Sequence, residues 1–227
     1  MILFVVSLAV GASPVDARLT AALQLEQEGQ GAEALRRLEA LVQTDPTSEL
    51  ARLEAARLGL KVGVAVEQAL LHAEIARSLA PENPRAHYLC ALALDEVGDR
   101  QGAIAALQVA LTLRSDYPDA RFRLAGLLSA QRRWPEAVAG WRAVLERSPT
   151  AHGARQQLAL ALEASGALQA AEAELEALTH VDVARVPAIR ALVGLLERSG
   201  RHAKAATWRR ALEPPARALR PLKASTR

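Results

Sequence analysis

The chain has 227 residues, room for one or two domains, and is 51% apolar with only 3% aromatic residues. Alanine, leucine and arginine dominate, all strong helix formers, so the composition favours an all-helical protein and argues against one large globular core. The formal net charge is only +3, and the single cysteine, Cys90, excludes an internal disulfide, a four-cysteine zinc site and a paired-thiol redox site.

The first element is an apolar run from Met1 to Ala12. It has the length of a signal-peptide core and falls short of the ~20 residues that cross a bilayer. Gly11 and Ala12 put small residues where a signal peptidase cuts, but no Lys or Arg precedes the run and no cysteine follows it directly. Residues 1–14 are expected to be a signal peptide or a membrane-anchor remnant. That favours a periplasmic or membrane-associated protein; the alternative is an ordinary first helix in a cytoplasmic one.

A repeat follows. Leucine recurs at Leu25, Leu60, Leu94, Leu128, Leu162 and Leu196, in steps of 35, 34, 34, 34 and 34 residues. Nine residues after each stands an alanine: Ala34, Ala69, Ala103, Ala137, Ala171 and Ala205. Gly29, Gly98, Gly166 and Gly200 fall four residues after the leucine and Gly63 three after, while Pro46, Pro81 and Pro149 fall twelve after the alanine. Glycine permits the left-handed turn that ends a helix, and proline starts or blocks one. Each unit reads as helix, glycine turn, helix, proline turn. Inside the third unit, Cys90, Ala91 and Leu94 share one helix face, and Ala103, Leu107 and Ala110 share one on the next helix. In the fourth, Leu124, Ala125 and Leu128 pair with Ala137, Trp141 and Val144. This is one buried stripe per helix.

From Arg201 to Arg227 eight Lys/Arg face Glu213 alone, a charge of +7, while the rest of the chain carries −4. With three prolines after Glu213 the end cannot make a long helix, and residues 220–227 are expected to be a basic disordered tail. Such a tail either attracts anionic lipid or nucleic acid or is a solvated terminus.

No signature of catalysis stands out. There is no phosphate-binding Gly-Lys-Ser/Thr loop, no Gly-x-Ser-x-Gly elbow and no His-Glu-x-x-His pair. Of His72, His87, His152, His180 and His202, only His87 has a histidine or cysteine at i+3 or i+4, namely Cys90, and that single pair does not make a local metal site. Glu26/Glu28 and Glu172/Glu174/Glu176 resemble paired acids but are expected on exposed helix surface. Cys90 sits at a packing position and is expected to be inert. Neither enzyme activity, nor a cofactor, nor a small-molecule substrate is expected.

A 34-residue helix–turn–helix with small residues at its eighth and twentieth positions and proline at the thirty-second resembles the tetratricopeptide repeat. The eighth positions hold Ala22, Arg57, Ala91, Ala125, Ala159 and Val193; Arg57 and Val193 depart from the pattern, as does Arg209 where a large apolar residue is usual. The resemblance implies an all-α, right-handed superhelical solenoid of about six units over residues 15–219, divided near 15–49, 50–83, 84–117, 118–151, 152–185 and 186–219. It also implies a concave wall lined by the first helix of each unit. The family's groove-facing positions are here Glu54, Lys61, Tyr88, Leu92, Asp95, Phe122, Arg123, Gln156, Gln157 and Arg190, with Gly126 and Gly194 leaving room for a ligand. Aromatic rings, glutamines and Arg123 suit a peptide's apolar side chain, backbone and carboxylate respectively. Tyr88 and Phe122 have the alternative role of covering the next unit's helix.

The Lys/Asn clamp with which some relatives grip a chaperone's C-terminal carboxylate is missing, its positions being held by Glu54, Leu58, Tyr88, Leu89 and Leu92. The implied function is a non-catalytic scaffold or adaptor for a protein or peptide. If the chain is exported, it resembles bacterial repeat proteins of envelope assembly such as type IV pilus pilotins. The alternatives are a surface binder acting through the basic tail, with membrane a partner and nucleic acid a less expected one, and a regulatory accessory subunit of an enzyme.

Overall fold

The structure is a computed structural model that describes residues 14–63 and 66–212. The apolar N-terminal run and the basic tail lie outside the described residues. Twelve α-helices and no strand occur among the described residues. They form six pairs: α1 (Pro14–Gln27) with α2 (Gly31–Thr44), α3 (Glu49–Val62) with α4 (Val66–Leu79), α5 (Pro84–Glu96) with α6 (Arg100–Leu113), α7 (Pro118–Ala130) with α8 (Trp134–Arg147), α9 (His152–Ala164) with α10 (Leu168–Thr179), and α11 (Asp182–Arg198) with α12 (His202–Arg210). The chain divides into two compact units, the first ending at Ala120 and the second starting at Arg121.

The repeated residues serve the pairing. All six alanines are buried, none more than 1% exposed. A methyl group there is all the space two crossing helices leave. Of the leucines, Leu128, Leu162 and Leu196 are buried and Leu25, Leu60 and Leu94 half-buried. Their backbone matters as well. The carbonyls of Leu25, Leu128, Leu162 and Leu196 accept the N–H five residues on, from Gln30, Arg133, Ala167 and Arg201, at 2.8–2.9 Å. This hydrogen bond closes a Schellman turn, which needs a left-handed residue just before the donor. Gly29, Gly166 and Gly200 supply it, whereas the fourth pair uses Arg132 at φ 57°.

Helix starts follow local chemistry. Ser48 caps α3 through Ala51 N–H, Asn83 caps α5 through Arg85 N–H, and Asp99 caps α6 through Gly102 N–H. A further device ties three of the five inter-pair turns to the helix after them. Arg52 Nε, His87 Nε2 and Arg155 Nη2 donate to the carbonyls of Pro46, Pro81 and Pro149 at 2.7, 2.8 and 3.2 Å, each reaching back six residues.

In the first unit, one apolar cluster joins Leu19, Ala34, Leu38, Leu41, Ala55 and Leu58, and a second joins Leu53, Ala73, Ala76, Leu89 and Cys90. Cys90 is fully buried, and burial pushes its thiol up to about 11, so the thiolate that would react is suppressed. In the second unit Trp141 is 1% exposed and its Nε1–H donates to Ser129 Oγ at 2.9 Å, which satisfies its one polar atom. The last pair starts earlier than the repeat suggests. α11 begins at Asp182 and runs through Pro187, whose missing N–H falls near the helix start, where Val183 is 85% exposed and water can serve the free carbonyl.

Candidate functional site

The residues expected to line a groove fall into two classes. In the first unit they belong to a ladder of ion pairs along α1, α3 and α5. Arg57 lays its guanidinium across the Glu26 carboxylate with both terminal nitrogens, and its Nε donates to Glu54 Oε2 at 2.7 Å. Lys61 Nζ reaches Glu26 Oε1 at 2.8 Å, and Arg85 Nη2 reaches Glu54 Oε1 at 2.6 Å. Only 13% of the Glu26 side chain and 9% of the Glu54 side chain are exposed. Hydrogen bonds from Arg57 and then Lys61 outweigh the effect of burial and hold the Glu26 carboxyl well below the usual carboxylate range, at about 2. Glu54 and Lys61 are thus already partnered within the fold.

Glu26 and Glu172, expected on solvated surface, are in fact sequestered. Glu172 is 6% exposed and is gripped by Lys204 and Arg201, and Lys204 also holds Glu176 at 2.8 Å. Burial works to raise the Glu172 pKa, but the two cations prevail and lower it. Glu174 pairs with Arg155 at 2.8 Å. The expectation failed because acids adjacent on one helix were weighed without the bases one repeat further on.

Tyr88 is half-buried. Its ring stacks on Tyr117 at 5.0 Å between centroids, and the Arg114 guanidinium covers the Tyr117 ring at 3.5 Å. Leu92 is half-buried against the same apolar cluster, and Asp95 is half-buried near the end of α5.

The second unit presents the other class. Phe122 on α7 is 44% exposed and meets Trp141 edge-on at 4.9 Å and 81°. Arg123 beside it, Gln156 and Gln157 on α9 and Arg190 on α11 are exposed, with no hydrogen-bond or ion-pair partner among the described residues. Phe122, Gln156 and Arg190 stand at 34-residue intervals, on the same register of three consecutive first helices. One row further along stand Gly126, Leu160 and Gly194. A Cβ on Gly126 would meet open space, whereas one on Gly194 would meet the Arg198 side chain at 3.1 Å. Leu160 is 46% exposed, and sequence reasoning passed over it. The signal was available, since it occupies the same repeat position as the two glycines.

Among the described residues no three His, Cys, Asp or Glu side chains gather as a metal-binding group, and no helix is long and apolar enough to cross a membrane.

No protein-family model and no curated protein matches the chain. Solved structures do. A tetratricopeptide repeat protein from Parabacteroides merdae ATCC 43184 superposes over 88% of this chain and 80% of its own, with a TM-score of 0.71 at 16% identity. The fold is of the tetratricopeptide-repeat type. YrrB, described as a TPR protein with an unusual peptide-binding site, covers 77% of the chain and 89% of its own at a TM-score of 0.67 and 20% identity. MamA from Desulfovibrio magneticus RS-1 covers 72% and 92% at 0.66 and 21%. Against the tetratricopeptide-repeat pattern, Ala22, Ala91, Ala125 and Ala159 at the eighth position are buried, and Val193 fits there at 9% exposure. Arg57 is tolerated because its long side chain leaves the crossing and reaches Glu26. Arg209, in place of a large apolar residue, is exposed and pairs with Glu197.

Proposed function

We propose that this chain is a non-catalytic protein-interaction scaffold that receives a peptide segment of its partner on the first helices of the second unit. The observation that carries this reading is the set of side chains left uncommitted there. Phe122 and Leu160 are large, apolar and nearly half exposed, amid Arg123, Gln156, Gln157 and Arg190, none of which has a partner. On the first helices of the first unit, by contrast, Glu26, Glu54, Arg57, Lys61 and Arg85 are drawn into a ladder. An aromatic ring and an aliphatic side chain hold an apolar anchor, and primary amides pair with an extended backbone. The description of YrrB as peptide-binding agrees with this reading.

Exported through its apolar N-terminus, such a scaffold suits the assembly of envelope machinery, the pilotin-like role that the sequence suggests. The test is affinity capture of the full-length protein from its native cell, with partners and the mature N-terminus read by mass spectrometry. Phe122→Ala with Gln156→Ala is expected to lose the partners captured by the wild type while helix content is retained. Undiminished capture by that variant would exclude this wall as the docking surface. Tyr88→Ala, captured in parallel, reports whether the first unit contributes.

A further inference from the structure

Resting on that reading, we infer that the partner segment is an extended acidic peptide, with an apolar anchor and a carboxylate about six residues apart. On the first helices of the second unit the acids Glu163 and Glu197 are already neutralised, by Arg198 and Arg209, and Arg155 is taken by Glu174. What remains without a partner is Arg123 on α7 and Arg185 and Arg190 on α11, against Asp119 in the first turn of α7 and Asp182 at the first residue of α11. The cations outnumber the anions, both of which lie in first turns, and guanidinium groups bind carboxylates in two-pronged fashion.

The first unit offers the contrast. There Arg57, Lys61 and Arg85 are saturated by Glu26 and Glu54, so an acidic segment would have to displace a bound carboxylate, and the one cation left over, Arg18 on α1, is outnumbered by the unpaired acids Asp95 and Glu96 on α5. The uncommitted cations therefore direct an acidic ligand to the second unit.

Spacing follows from the register. Packed helices lie roughly 10 Å apart, so Phe122 on α7 and Arg190 two first helices further on are separated by about 20 Å. An extended backbone advances about 3.3 Å per residue, which converts this span to about six residues. Arg123, next to Phe122 in sequence, calls for a second carboxylate beside the anchor.

The probe is a fluorescein-labelled decapeptide of glycine and serine bearing one leucine, a glutamate next to it and a glutamate six residues away. Binding to the full chain is followed by fluorescence anisotropy. The glutamate peptide is expected to bind roughly tenfold more tightly than its glutamine counterpart, and the preference to weaken as salt is raised. Arg123→Ala with Arg190→Ala removes the preference, and both residues are exposed, so the fold is retained and circular dichroism checks it. Moving the distal glutamate to three residues from the leucine is expected to cost most of the gain. Equal affinity of the glutamate and glutamine peptides, with binding still lost in Phe122→Ala, overturns the acidic partner and leaves the docking surface standing. No binding by any of the peptides overturns both.

Discussion

Replacing Glu26 by Gln tests whether the first unit's ion ladder holds its pairs together. The amide keeps the shape of the carboxylate but leaves Arg57 and Lys61 without a counter-charge over a side chain only 13% exposed. The magnitude follows from linkage. Glu26 titrates at about 2 in the folded chain against an ordinary 4.5, a difference worth ~3 kcal/mol at most. Lys61 is 63% exposed and Arg57 30%, so water screens part of this, and ~2 kcal/mol is the working figure. The sign is that of a depressed acid. Its stabilisation is full above about 4.5 and vanishes as pH falls towards about 2. Urea unfolding followed by circular dichroism, on wild type and Glu26→Gln across this range, isolates the one group, because every other carboxylate titrates in both proteins. The gap in stability should be ~2 kcal/mol at neutral pH and close as the solution approaches pH 2. A gap that stays constant with pH, or none at neutral pH, would refute the reasoning.

Three further outcomes are expected. Arg132→Gly should stabilise the chain by ~0.5–1 kcal/mol, since a non-glycine residue in the left-handed region costs ~1–2 kcal/mol and glycine's greater freedom when unfolded returns part of it. The Arg132 side chain is exposed and has no bond to lose, so an unchanged or lowered unfolding midpoint would contradict the strain. His72 is held below its ordinary 6.5 by burial and by Arg52, whose Nη1 lies 3.4 Å from His72 Nδ1. The unfolded chain takes up that proton first, so stability should decline as pH falls through 6.5 and below, and His72→Gln, which keeps an acceptor for Arg52, should flatten the decline; a decline of equal slope in the variant would refute this. Gly126→Ala and Gly140→Ala should move thermal stability in opposite directions. The first gains up to ~1 kcal/mol of helix propensity in open space, whereas the second places a Cβ 3.0 Å from that of Ala125 across a packed crossing.

Most of the fold was legible because the repeat is a packing rule written into residue size. Alanine at each crossing and leucine before each turn are constraints that a single chain displays six times. The turn glycines were legible for the same reason, and Arg132 escaped because a left-handed arginine has no signature of its own. The early start of α11 escaped because Pro187 reads as a helix start and the turn before it carries no cap signal. The candidate site was less legible. Repeat position assigns a side chain to the wall, but Glu54 and Phe122 at equivalent positions have opposite fates, one buried in a double ion pair and one exposed.

That difference follows from pairing across the repeat, which has a consistent order. Glu26 binds Arg57 and Lys61, 31 and 35 residues on, and Glu54 binds Arg85, 31 on. Glu163 binds Arg198, 35 on, and Glu172 binds Lys204, 32 on. In each case the acid belongs to the earlier pair and the base to the later one, because equivalent helices of consecutive pairs stand side by side in the same direction. A charge at repeat distance is therefore a neighbour, whereas charges adjacent on one helix are not. In these contacts the fold absorbs a cation that has an acid about one repeat before it. Arg190 has none, since the residues from Gln156 to Gln157 that stand opposite it carry no charge. Pairing across the repeat thus accounts for the structural ions of these ladders, and it leaves Arg123 on α7 and Arg185 and Arg190 on α11 unpaired.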